Sequence, residues 1–197
     1  MAFLRTALFA LLCAAALAAR AAEIEVRDAH LVSTEEGLTL DADFAFEFGP
    51  RLAEMIANGV PLYFVVEFEL TRPRWWWFDE KTAAKRLQLR LSYHPLSRQY
   101  RLSSGLLQQQ FATLEEALHV LRRVRNWTVS DRGTTLSDTT YEVALRMRLD
   151  ITLLPKPFQV GALTSPELHL ESPWKHFTFR PPPAPVENRE PREAPAR

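Results

Sequence analysis

Residues 61–81 read PLYFVVEFELTRPRWWWFDEK. Its first half alternates with period two. Leu62, Phe64, Val66, Phe68 and Leu70 fall on one side and Tyr63, Val65, Glu67, Glu69 and Thr71 on the other, as in a β-strand with one buried face. The second half breaks that pattern, because the even positions next carry Arg72 and Arg74, and burying two unpaired guanidinium groups costs several kcal/mol each. Pro73 cannot donate to a strand ladder, so a bulge is expected there. A one-residue slip then sends Trp75 and Trp77 into the core and leaves Arg74, Trp76 and Phe78 on the opposite face. Arg72, Arg74, Trp76 and Phe78 form the candidate interaction surface, since Trp and Arg are enriched at interface hot spots and an aromatic face needs something to cover it.

The same period recurs on both sides of this stretch. Upstream, Ile24 and Val26 mark a short strand over Glu23 to His30, and the run from Leu38 to Phe48 sets apolar residues against Thr39, Asp41, Asp43 and Glu47. Gly49 and Pro50 open a short helix, RLAEMIANG, in which Leu52, Met55 and Ile56 share a side and Asn58 with Gly59 suits a left-handed end. Downstream, Asp79 to Ala84 reads as a loop, and RLQLRLSYH turns Leu87, Leu89, Leu91 and Tyr93 inward before a turn at His94 to Ser97 leads into RQYRLS. Ser103, Ser104 and Gly105 read as a turn. A second helix is expected over TLEEALHVLRRVRN, residues 113–126, where Thr113 and Glu116 have capping-box spacing and Arg122, Arg123 and Arg125 suit the negative end of the dipole. A strand near Trp127 and Val129 follows, then a turn around Gly133. The run TTYEVALRMRLDI turns Tyr141, Val143, Leu145, Met147, Leu149 and Ile151 inward, LPKPF interrupts it, and two short strands are expected around Pro173 between Glu167 and Phe179. At least six alternating runs and two short helices predict a mostly β chain, an antiparallel β-sandwich or open barrel.

The first 21 residues read as a signal peptide: Arg5, an apolar run from Thr6 to Ala19, then the small-x-small sequence Ala19, Arg20, Ala21. Cleavage near Ala21 is expected, because the run falls short of the about 20 apolar residues of a spanning helix and ends at a charge. The expected organisation is a signal peptide over 1–21, a single β-rich domain over 22–179 and a proline-rich disordered tail over 180–197. Export to the periplasm follows, with no transmembrane segment left in the mature chain. Cys13, the one cysteine in 197 residues, lies in the apolar run, so the mature chain has no disulfide, thiol nucleophile or thiolate metal site.

With 24 basic and 24 acidic residues the chain has no net field to hold nucleic acid. The five histidines are dispersed, without ligand spacing, and no nucleophile elbow or phosphate-cradling glycine loop occurs, so no cofactor, metal or catalytic residue is expected. Asp41 with Asp43, and Glu67 with Glu69, are paired carboxylates of the kind used in glycosidic chemistry. Arg86, Arg90, Arg146 and Arg148 fall on the polar faces of other strands, so cross-strand ion pairs on a solvated sheet are the better expectation. Asn126, Trp127 and Thr128 match a glycosylation sequon, although a helix C-cap explains Asn126 equally well.

The segments PLYFVVEFELTRPRWWWFDEK, RLSYHPLSRQYRLSSGLLQQQFATLEEAL, YEVALRMRLDITLLPKPFQV and SPWKHFTF together resemble a family of exported proteobacterial proteins, domain of unknown function 4390. The resemblance runs from about Ile24 to Phe179. It implies an envelope location, carries no activity or catalytic residue with it, and implies a partner, since genes of this family lie beside a two-component sensor kinase of the nitrogen-response class. The expected function is therefore that of a non-catalytic protein-interaction module accessory to such a membrane sensor kinase. The alternative is a binder of an apolar or glycan ligand between the sheets, which the twelve Phe and five Trp would permit.

Overall fold

A computed structural model describes residues 23–34, 37–73, 80–130, 139–162 and 165–182. The alternating residues after Pro61 form strand β3, Leu62–Arg72, an inner strand of the larger of two sheets. That sheet has the order β6-β5-β4-β3-β8-β9, with β4 Glu80–His94, β5 Gln99–Ser104, β6 Leu107–Phe111, β8 Tyr141–Leu149 and β9 Lys175–Phe179. A three-stranded sheet, β1-β2-β7, combines Glu25–Thr34, Gly37–Ala45 and Arg123–Thr128. Every pairing between these strands is antiparallel. Among the described residues the architecture is sandwich-like, without a closed barrel, and β3 to β6 form the expected meander.

Alternation explains why the sheets face each other. In β2 every second residue is buried, Leu38, Leu40, Ala42 and Phe44, and in β8 Tyr141, Val143, Leu145, Met147 and Leu149 are buried in turn. The inner side of β3 supplies Leu62, Phe64, Val66, Phe68 and Leu70, all within one contiguous core. Two aromatic contacts join the sheets: Phe46 stacks on Phe64 with centroids 5.7 Å apart, and Trp127 meets Phe68 edge-on at 6.3 Å.

Helix α1, Pro50–Ala57, buries Leu52, Met55 and Ile56 as its spacing requires, and Gly59 past its end has φ 80°, a left-handed conformation suited to glycine. Helix α2, Leu114–Leu121, begins with the expected capping box: Glu116 N donates to Thr113 Oγ1 at 3.2 Å, and Thr113 N donates to Glu116 Oε2 at 3.4 Å. Thr113→Ala is expected to cost about 1 kcal/mol, since it leaves a first-turn amide without its acceptor. Urea unfolding checks this, and an unchanged midpoint would remove the cap's role.

Several boundaries differ from the sequence expectation. Helix α2 stops at Leu121, five residues before Asn126, because Arg122 O accepts from Phe44 N at 2.8 Å and the chain joins β2 as β7. Asn126 is not a C-cap. It sits in β7 with φ 51°, where Arg125 and Asn126 together oppose Asp41, a bulge held by Asn126 N donating to Asp41 Oδ1 at 2.7 Å. Strand β1 runs on to Thr34, β4 begins at Glu80 where a loop was expected, and β6 is a strand the alternation did not mark. A third short helix, α3, spans Lys156–Ala162, and the region expected as two strands around Pro173 holds a 3-10 turn at Pro166–Leu168 and the single strand β9. Just before Pro73 a bulge falls on the partner strand, where Leu70 pairs with Ala83 and Thr71 with Lys81, so the extra residue is Thr82 on β4; the register expected for Arg74 to Phe78 lies outside the described residues.

Candidate interaction surface

The odd positions of β3 project away from the smaller sheet, and the charge they carry is set by the neighbouring strands. Glu67 lies opposite Arg86 on β4 and opposite Arg146 on β8. Three guanidinium groups converge on its carboxylate. Arg146 Nε donates to Oε2 at 2.6 Å, Arg86 Nε lies 3.1 Å from Oε1, and Arg148 Nε lies 3.6 Å from Oε2. Glu67 is 5 % exposed, so these acids and arginines do not form the fully solvated array expected of the sheet's polar face. A central strand is shielded by long side chains on both sides, which a strand read singly does not reveal.

Burial alone would raise the Glu67 carboxyl, but the hydrogen bond from Arg146 and the charges of Arg146, Arg148 and Arg86 outweigh it and hold the group below its ordinary value. Asp150 behaves alike: burial raises it, while hydrogen bonds from the Thr152 hydroxyl and backbone and the charge of Arg148 lower it overall. Arg148 Nη1 is 3.5 Å from Asp150 Oδ1, so Arg148 bridges the two carboxylates. Within the cluster, Arg86, Arg90, Arg146 and Arg148 outnumber Glu67 and Asp150 by two charges, while Glu69 and Glu142 on the same face are met by Lys81 and His176.

Aromatic rings flank the cluster. The Arg146 guanidinium lies 4.5 Å from the centroid of Trp174, and that of Arg90 lies 5.9 Å from the ring of Tyr63. Trp174 is brought there by a short non-strand segment that runs beside β8: Leu149 N donates to Leu170 O at 2.7 Å, Ser172 N to Met147 O at 2.8 Å, and Met147 N to Ser172 Oγ at 3.0 Å. The face therefore combines guanidinium groups held by one buried carboxylate with a half-buried tryptophan, a rigid and positively charged platform.

Of the sequence-predicted surface, Arg72 is half-buried at the end of β3 opposite Glu80. Arg74, Trp76 and Phe78 lie outside the described residues, as do Trp75 and Trp77. The sequence pairs the cluster's four arginines with the strand carboxylates, Glu67 among them, but does not show that three converge on one buried carboxylate beside Trp174. The signal was Glu67 in the middle of the most apolar strand, with Arg86 and Arg90 on one face of a second strand and Arg146 and Arg148 on one face of a third.

The other paired carboxylates of the sequence, Asp41, Asp43 and Glu69, have structural partners. Asp43 pairs with Arg125 and Arg123 on β7 as expected of cross-strand ion pairs, and Asp41 lies 3.7 Å from His30 on β1. Glu69 meets Lys81 at 2.9 Å. An open cleft of about 1200 Å³ lies where the start of β1, the end of β2, α1 and β9 meet, lined by Glu23, Glu47, Glu167, Arg27, Arg122 and Lys175 among others. Two of its cations serve the backbone: Lys175 Nζ donates to the carbonyls of Val26 and Arg27, both at 2.9 Å, and Arg122 donates to Phe46 O at 3.0 Å. Among the described residues no group of His, Cys, Asp and Glu could hold a metal ion, and no helix is long and apolar enough to cross a membrane.

No curated protein and no solved structure matches the chain. A family model described as Domain of unknown function (DUF4390) matches residues 21–178, which takes in both sheets except Phe179 at the end of β9. By that match the chain belongs to the DUF4390 family.

Proposed function

We propose that this chain is a non-catalytic interaction module of the cell envelope, exported to the periplasm, which docks an acidic surface of a protein partner on the arginine–tryptophan face. The observation that carries the reading is the Glu67 cluster. One buried carboxylate orients three guanidinium groups, and the excess positive charge is offered beside Trp174 and Tyr63, the residue types that dominate binding hot spots. Preformed guanidinium groups lose less side-chain freedom on binding carboxylates than mobile ones, which favours recognition over mere solvation. The apolar run at the N-terminus supports export, and the partner class proposed is a membrane sensor kinase with an acidic periplasmic region. A ligand held between the sheets draws less support, since Phe46 on Phe64 and Phe68 on Trp127 fill facing positions there.

Affinity capture from envelope extracts of the host tests the reading. The unaltered chain should retain a partner whose binding weakens as salt rises, and the Arg146→Ala, Trp174→Ala double variant should lose it. Identical partners for both chains would reject this face as the docking surface.

A further inference from the structure

The edges of the two sheets are not alike. Edge strands of β-proteins carry charges that discourage pairing with another chain, and most of the edges here follow that rule. Strand β1 has Glu25, Arg27 and Asp28, β7 has Arg123 and Arg125, and β9 has Lys175. Strand β4 pairs with β5 only from Arg90 to His94, and its earlier part, which has no strand on that side among the described residues, carries Lys81, Lys85 and Arg86. Strand β6 is the exception: Leu107, Gln108, Gln109, Gln110 and Phe111 include no charge and no proline. It is the outermost strand of the larger sheet, its first four residues are exposed, and Leu106 and Leu107 stand in solvent at 105 % and 77 % exposure.

We propose that β6 is a self-association edge, at which a second copy of this chain adds its own β6 antiparallel and joins the two larger sheets into one. The sequence of the strand is its own complement about a two-fold axis at Gln109. Gln109 then faces the partner's Gln109, Gln108 faces the partner's Gln110, and Leu107 faces the partner's Phe111. No like charges meet, the amide side chains can exchange hydrogen bonds, and each exposed Leu107 is covered by an aromatic ring. Leu107, Gln109 and Phe111 lie on the inner side of the sheet, opposite Ser104, Leu102 and Tyr100 of β5, so the apolar pairs extend the core side and the glutamines at 108 and 110 stay on the outer face. The chain's own C-terminal segment is a poor occupant. It leaves β9, at the far edge of the sheet about five strand spacings or roughly 24 Å away, and its many prolines have no N–H to donate.

Sedimentation velocity over a concentration series, on the unaltered protein and on Gln109→Lys and Gln109→Glu, tests the proposal. The unaltered protein should dimerise, and each variant alone should dimerise about tenfold or more weakly, because like charges would face each other on the axis. An equimolar mixture of the two variants should recover the dimer. Far-ultraviolet circular dichroism and a thermal midpoint establish that the variants keep the fold. A protein that stays monomeric throughout, a dimer that Gln109→Lys leaves unchanged, or a mixture that fails to recover it would overturn the proposal.

Discussion

Glu67→Ala is expected to lower the unfolding free energy by about 2–3 kcal/mol, the largest effect of any polar substitution on the outer face. Removing one member of a buried ion cluster usually costs about 3–5 kcal/mol, because the remaining charge is stranded. Here Arg146, Arg148 and Arg86 keep side-chain exposures of 29 %, 25 % and 76 %, so water relieves part of that penalty. The arginines should rank accordingly. Arg86→Ala should cost under about 1 kcal/mol as an exposed partner. Arg146→Ala should cost more, since it loses the 2.6 Å bond to Glu67 and its contact with Trp174. Urea midpoints of the variants would show the order, and an Arg86 effect as large as that of Glu67 would contradict the cluster's geometry.

The same cluster sets a pH dependence. Glu67 is held below its ordinary 4.5 in the folded chain and Asp150 below its ordinary 3.8. A depressed carboxyl contributes stability that is complete above its unfolded value and is lost as pH falls through the folded one. The protein should therefore be steady near neutrality and lose stability progressively as pH drops below about 4.5. Glu67→Gln, which has no proton to take up, should be less stable at neutral pH and show a shallower acid slope. Parallel slopes for the two proteins would mean that Glu67 is not the titrating anchor.

Phe68→Ala should cost about 3–5 kcal/mol, the range for emptying an aromatic site in a packed core. Phe68 is 1 % exposed and lies on the inner side of β3, where Trp127 of the smaller sheet meets it edge-on, so the substitution removes a contact between the sheets as well as burial within one. Leu96→Ala is the matched control: Leu96 sits in the turn after β4 at 93 % exposure and should change stability little. Thermal or urea unfolding of both variants decides the matter. Equal small effects would mean that the sheets do not pack face to face through this pair.

Local pattern was sufficient for the strands with one buried face. Residues 37–45 and 141–149 alternate in burial as their side chains alternate in polarity, and every even position from 62 to 70 is buried, because successive residues of a strand point to opposite sides whatever the neighbours are. The capping box of α2 was also legible, since Thr113 and Glu116 act within one turn. What depended on distant partners was not. Residues 122–126 continue a helical spacing in sequence, yet β2 offers hydrogen-bonding positions and a covered place for Val124, and the strand prevails. Strand β6 has no alternation because both of its faces are largely exposed, so its glutamines carry no burial signal.

The interaction face divides in the same way. That the arginines lie on the polar sides of their strands is a matter of period and is visible in the sequence. That Arg86 and Arg146 meet on Glu67 required β4 and β8 to flank β3 in register, bringing together residues 79 positions apart in the case of Glu67 and Arg146. The chain alone specifies which side of each strand is apolar, because that depends on neighbours two residues away. Which charges share a buried site is a property of strand order, and only packing two sheets around one core decides it.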